Sequence, residues 1–180
     1  ELKGLILDLR GNPGGLLNEA VNIVNVFVEK NKLVVTTKGK VDEWNNTFKT
    51  LNEPSDTRIP LVLITNSSSA SASEIVSGTM QDYDRGVVIG QRTYGKGLVQ
   101  VTKPLSYNTV LKVTTAKYYI PTGRCIQALN YAEKNTDGSV KRIPDSLKVA
   151  FKTLKTGRTV YDGGGVDPDV KLTKQEHSKI

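Results

Sequence analysis

Apolar positions along this chain switch between two periods. Leu5, Ile6 and Leu7 form an apolar run inside "LKGLILDLRG" (Leu2 to Gly11), which predicts a strand. "NPGG" then forces a turn, because Pro13 fixes φ and Gly14 and Gly15 accept conformations closed to other residues. Leu16, Leu17, Ala20, Val21, Val24 and Phe27 follow at helical spacing. "KLVVTTKG" predicts a second strand. Residues 38–58 are polar and irregular, with Trp44 and Phe48 as isolated anchors, and read as a long loop. "IPLVLIT" (Ile59 to Thr65) is a near-continuous apolar run suited to a strand buried on both faces.

"SASEIVSGTMQ" returns to the helical period. Ile75, Val76, Thr79 and Met80 fall on one side, and Ser71 or Ser73 can cap the start. "GVVIGQ", "LVQVTKPL" and "TVLKVTTAKYYIP" predict strands, with "RTYGKG" as the loop after the first. Residues 130–142 are polar and read as an exposed loop. "PDSLKVAFKTLKTG" predicts a short amphipathic helix closed by Gly157. The chain finishes with the rigid, glycine-rich "YDGGGVDPDV" and a polar tail, 171–180. Two strand–turn–helix units on buried strands predict an α/β layered domain, in which ligands gather at the carboxyl ends of strands. Both "GNPGG" and "SSSASAS" fall at such ends.

Composition narrows the picture. At 180 residues, 37% hydrophobic and 24% charged, the chain suits one folded domain, 1–180. Its first residues, Glu1 onward, read as a strand already under way, so a piece of a longer protein is expected. No apolar run is long enough to span a membrane. The net charge is +7, but the basic residues are spread out, with some excess from Lys134 to Lys155. A nucleic-acid surface would gather them on one element with aromatics between, so no nucleic-acid partner is expected. Cys125 is the only cysteine, which excludes an intrachain disulfide and a multi-thiolate metal site.

The candidate chemistry lies in "NSSSASASEIVSG" (Asn66 to Gly78). Six of its residues are serine, yet it sits between a buried strand and an apolar-spaced helix, not among other polar residues. A serine hydroxyl needs a base to take its proton. The only histidine, His177, lies in the polar tail, so a Ser-His-Asp triad is not expected. A lysine can serve if its pKa falls from about 10.4 towards neutrality. Lys96, between Gly95 and Gly97, sits in a loop whose backbone can pass close to another element. "GQRTYGKG" is no phosphate loop, since Gly97 follows the lysine and a strand follows the loop. On residues alone, Ser71 as a helix cap and Lys96 as a solvated loop lysine stay open.

Taken together, five blocks resemble the carboxyl-terminal processing peptidases, also called tail-specific proteases. They are "LILDLRGNPGG", "SSASASEIVSGTMQD", "VVIGQRTYGKGLVQ", "LKVTTAKYYIPTGRCIQ" and "GGGVDPDV", in the family's order across nearly the whole chain. The resemblance implies a layered crotonase/ClpP-like peptidase core and a Ser-Lys dyad. Ser71 is the implied nucleophile, and Lys96, 25 residues later, the implied base. Gln100 is implied to orient the lysine. The N–H of Ala72, with that of Gly14 or Gly15, is implied to form the oxyanion hole. Glu74 and Asp82 match supporting acidic positions. No metal or organic cofactor is implied. The implied partners are polypeptides with exposed C-termini, the implied location is the bacterial periplasm or cell envelope, and a PDZ domain is expected upstream of this stretch. Two departures are visible: serine at Ser68 or its neighbour, where the resemblance implies a glycine, and Cys125 where serine is common. Rival readings are an inactive scaffolding relative and an acyl-CoA enzyme of the crotonase type.

Overall fold

The computed structural model describes residues 2–173; His177 lies outside them. Four parallel strands form the first sheet: β1 (Leu5–Asp8), β4 (Leu61–Thr65), β5 (Val87–Gly90) and β12 (Val170–Lys171), in the order β1-β4-β5-β12. Helix α1 (Leu17–Phe27) joins β1 to an antiparallel sheet of β2 (Leu33–Gly39), β3 (Asn46–Lys49), β6 (Leu98–Pro104) and β7 (Val110–Tyr119), ordered β3-β2-β7-β6. Helix α2 (Ala72–Asp82) follows β4 after a six-residue connection, 66–71, and is buried from Ser73 to Asp82.

The core follows the two periods. Ala20, Val21, Val24 and Phe27 of α1 meet Leu61 and Leu63 of β4, Val34 and Val35 of β2, and Ile75, Val76 and Met80 of α2. Each of these side chains other than Ala20 contributes about 1.5–3 kcal/mol on leaving water. β4 is buried at Leu61, Leu63 and Thr65, whereas Val62 and Ile64 are only half-buried. The strand is therefore covered fully on one face, not on both.

Three stretches depart from the sequence reading. The 38–58 segment holds a 3₁₀ turn at Asp42–Trp44 and the short strand β3, which pairs with β2. Residues 130–142 form most of a hairpin, β8 (Leu129–Lys134) with β9 (Val140–Arg142). Its strands are largely exposed, so no apolar alternation marked them. The helix expected over 144–157 is absent. A 3₁₀ turn at Asp145–Leu147 leads into β10 (Ala150–Lys152), which pairs with β11 (Thr159–Tyr161). Gly157, at φ +71°, lies in the connection between those strands and closes no helix. The tail expected from 171 contributes Lys171 to β12; residues 174–180 lie outside the described residues.

Candidate active site

The two strand-end loops are laced together. Ala70 donates its N–H to the Asn12 carbonyl at 3.0 Å, and Ser73 Oγ donates to the same carbonyl at 3.1 Å. Ser69 Oγ reaches the Leu9 carbonyl at 2.8 Å, and the Asn66 side chain accepts the Gly11 N–H at 3.0 Å. Ser69, Ser73 and Ser77 are buried and bonded, so the serine-rich stretch is a packed turn and helix start. Ser71 differs from them. It is half-exposed and occupies the N-cap of α2 with φ +57° and ψ −116°. That region is nearly closed to residues with a Cβ and costs about 1–3 kcal/mol. Ser68 is not left-handed, so its backbone accepts a serine without strain.

Gly14 explains the glycine turn. A Cβ there would lie 2.6 Å from the Ala70 carbonyl oxygen, 2.7 Å from the Ala72 nitrogen and 2.9 Å from Ser71 Cβ. Only a glycine, at φ +97°, lets the turn approach the serine this closely. The Gly14 N–H is taken by Asn12 Oδ1 at 2.9 Å. Gly14, Gly15 and Ala72 together line a small cleft of about 140 Å³.

The lysine loop folds back onto the start of α2 through Glu74. This carboxylate is fully buried and accepts four bonds from neutral donors. Oε2 accepts the N–H of Ser71 at 2.8 Å and that of Lys96 at 2.8 Å. Oε1 accepts the Thr93 hydroxyl at 2.5 Å and the Gly95 N–H at 2.7 Å. Burial pushes the Glu74 carboxyl up from its ordinary value, and the donors at Thr93, Lys96, Ser71 and Gly95 pull it back. One oxygen thus ties the backbone of the candidate nucleophile to that of the candidate base. Gly95 and Gly97 make the approach expected of them. A Cβ on Gly95 would lie 2.2 Å from that of Ala128, and one on Gly97 2.7 Å from the Gln127 nitrogen.

Lys96 is exposed and lines a cavity of about 500 Å³ with Ala70, Gly95 and Gln100. Gln100, on β6, donates its amide to Thr114 Oγ1 at 3.4 Å, across to β7. Its hydrogen bond is therefore to a sheet neighbour, while its side chain shares the lysine's cavity. Asp82 closes the other end of α2. Its carboxylate meets the fully buried Arg124 at 2.9 Å and accepts the N–H and hydroxyl of Thr122. Cys125 is half-buried in a bridge to Tyr119, and burial raises its thiol pKa, as suits packing more than chemistry. Thr93 and Asn12 were missed in the sequence. A threonine and an asparagine inside glycine loops are the only signals, and both types bond to backbone in turns.

Comparison with known proteins agrees with this architecture. A family model described as "Peptidase family S41" matches residues 1–137. The chain is 43% identical over 129 residues to a carboxy-terminal-processing protease of Bartonella bacilliformis, covering 72% of this chain and 30% of that protein. It is 44% identical over 158 residues to a "Probable CtpA-like serine protease" of Staphylococcus aureus strain N315, covering 87% of this chain and 32% of the relative. Among solved structures, it is similar to a photosystem II D1 C-terminal processing protease with a TM-score of 0.68 and 29% identity. That match covers 95% of this chain and 35% of the other. The chain thus spans about a third of the length of the curated relatives it matches. On its sequence blocks, its fold and these matches, the chain belongs to peptidase family S41.

Proposed function

We propose that this chain is the catalytic core of a serine endopeptidase that cleaves polypeptides near their C-termini, with Ser71 as nucleophile and Lys96 as general base. The observation that carries the reading is the shared Glu74 oxygen, which holds the backbones of Ser71 and Lys96 to one acceptor. The strained backbone of Ser71 supports it as well.

In this reading the neutral Lys96 amine takes the Ser71 hydroxyl proton as Oγ bonds to a peptide carbonyl carbon. The carbonyl oxygen gains the negative charge, which the Ala72 N–H and a glycine N–H stabilise. Gly15 is the freer donor, because Asn12 holds that of Gly14. The C–N bond then breaks, and the Lys96 ammonium returns the proton to the leaving amine. Water attacks the Ser71 ester, Lys96 takes its proton, the ester C–O bond breaks and Ser71 recovers the proton. Gln100 completes the lysine's surroundings by turning its amide from Thr114 towards the amine. In the full protein, a PDZ domain outside this stretch selects exposed C-termini, and the whole acts in the bacterial envelope.

Casein hydrolysis tests the dyad. The unsubstituted chain is expected to cut with a rate that rises with pH, and Ser71→Ala and Lys96→Ala to cut at least about a thousandfold more slowly. Full activity in either variant would remove that residue from the mechanism.

A further inference from the structure

The hairpin of β6 and β7 carries a surface that the chemistry above does not use. β2 pairs with β7 only from Ala116 to Tyr119, so the hairpin beyond it extends past the rest of the sheet. Every residue from Gln100 to Lys112 is exposed. The extended stretch from Gln100 to Leu105 spans about 17 Å. The turn at its end is tight. Thr109 donates its N–H and its hydroxyl to the Ser106 carbonyl, and Tyr107 and Asn108 both have positive φ, +58° and +55°. Asparagine and glycine favour such positions, whereas a bulky side chain is disfavoured there. This turn nevertheless holds Tyr107 97% exposed at the tip.

The tip is apolar and its flanks are basic. Leu105, Val110 and Leu111 are exposed apolar side chains close to Tyr107. Residues 104–111 hold no charge, and Lys103 and Lys112 bracket them. Register sets Lys103 opposite Leu111 and Thr102 opposite Lys112. Alternation then puts Lys103, Leu105 and Leu111 on one face of the hairpin, and Val110 and Lys112 on the other. Each face thus has an apolar side chain nearer the turn than its lysine. No aspartate or glutamate occurs from Gly86 to Ala132. No ion pair of the described residues includes either lysine.

An apolar, aromatic tip with an uncompensated cation on each face complements a lipid interface. Rings and aliphatic chains enter the boundary layer while ammonium groups meet anionic headgroups. The hairpin is longer than the roughly 5–10 Å to which such surfaces enter. A second copy of the same tip would instead set lysine against lysine.

We propose that the β6–β7 tip docks on an anionic bilayer surface, with Leu105, Tyr107 and Val110 in the headgroup boundary and Lys103 and Lys112 on acidic headgroups. The proposal goes beyond the peptidase reading and does not depend on the dyad. Gln100, at the base of the hairpin, lines the cavity beside Lys96, so docking holds that cavity near the membrane.

The test is co-sedimentation of the chain with sucrose-loaded vesicles. Phosphatidylcholine vesicles are compared with vesicles in which about a third of the lipid is phosphatidylglycerol. Saturable binding to the anionic vesicles is expected, at least about twentyfold tighter than to neutral ones and weakened by salt. Lys103→Gln with Lys112→Gln is expected to weaken it about 25-fold, about fivefold for each lysine. Tyr107→Ser is expected to weaken it about five- to tenfold. Lys49→Gln with Lys155→Gln removes as much charge from exposed sites on other elements, and is expected to change binding less than about twofold. No binding to anionic vesicles, equal binding to neutral ones, or equal losses from the two lysine pairs would overturn the proposal. Full binding by Tyr107→Ser would overturn it too, since only diffuse attraction would then remain. Self-association without vesicles that Tyr107→Ser abolishes would assign the tip to a second copy, and would also overturn it.

Discussion

Helix α2 carries a buried carboxylate near each end, and the two are satisfied in opposite ways. Asp82 meets a cation, Arg124, and neither side chain has any exposed surface. Among the described residues Glu74 meets no cation; its four donors are three backbone N–H groups and a threonine hydroxyl. Burial pushes the Asp82 carboxyl up and the Arg124 guanidinium down, and each holds the other charged. An ion pair of this kind fixes two elements to each other and does little else. A carboxylate held by backbone donors fixes the path of loops, here those carrying Ser71 and Lys96. One end of the helix is a staple of the fold, and the other sets the path of the loops that carry Ser71 and Lys96.

The contrast can be broken at either end. Asp82→Asn strands a buried Arg124 and is expected to lower stability by about 3–5 kcal/mol, read as a drop in the urea midpoint. Joining it to Arg124→Met should return much of that loss, because no unpaired charge then remains buried. Glu74→Gln puts an amide NH₂ against N–H donors. The expected cost is about 1–3 kcal/mol of stability, with a fall of about a hundredfold in kcat from misplaced loops. A stability loss with kcat intact would reduce Glu74 to a second staple.

A smaller effect comes just beyond the helix, at Asp84. Burial would raise its pKa, but donors from Thr156 and Arg158 bring it from 3.8 to about 2. The folded value lies below the unfolded one, so its stabilisation is present above pH 3.8 and lost as pH falls through about 2. Asp84→Asn should be less stable than the parent at neutral pH, with the gap closing in that acid window, followed by circular dichroism. Tyr107, 97% exposed between β6 and β7, is the control. Tyr107→Ser should leave stability within about 0.5 kcal/mol in thermal melts.

Much of this was legible in the sequence where one period dominated. β1, α1, β4, α2 and β5 follow from runs of apolar residues, because each has a face in the core. The failures share a cause. β8 and β9 bury almost nothing, so their composition resembles a loop, and only pairing makes them strands. Around β10, Leu147, Val149, Phe151 and Thr153 alternate with polar or small residues, and that period of two prevailed over the helical reading once β11 supplied a partner. In the site, Ser71, Lys96 and the glycine turn were visible as residue types in loops. Glu74 was visible only as a supporting acidic position through the resemblance, and its partners were not, since three of its donors come from a loop about twenty residues downstream. No local pattern encodes a meeting of that kind.

The Thr93 hydroxyl that donates to Glu74 also accepts the Val166 N–H at 2.7 Å. A Cβ on the neighbouring Gly165 would lie 2.7 Å from that hydroxyl and 3.1 Å from Glu74. The brace around the candidate site is thus finished by residues far downstream of both Ser71 and Lys96. During synthesis, Ser71 and Lys96 leave the ribosome well before Val166 does. A nascent chain therefore carries both side chains for a time without the full set of contacts that hold their loops. The order in which the polypeptide is made acts as a timer, delaying these contacts until Val166 has been made.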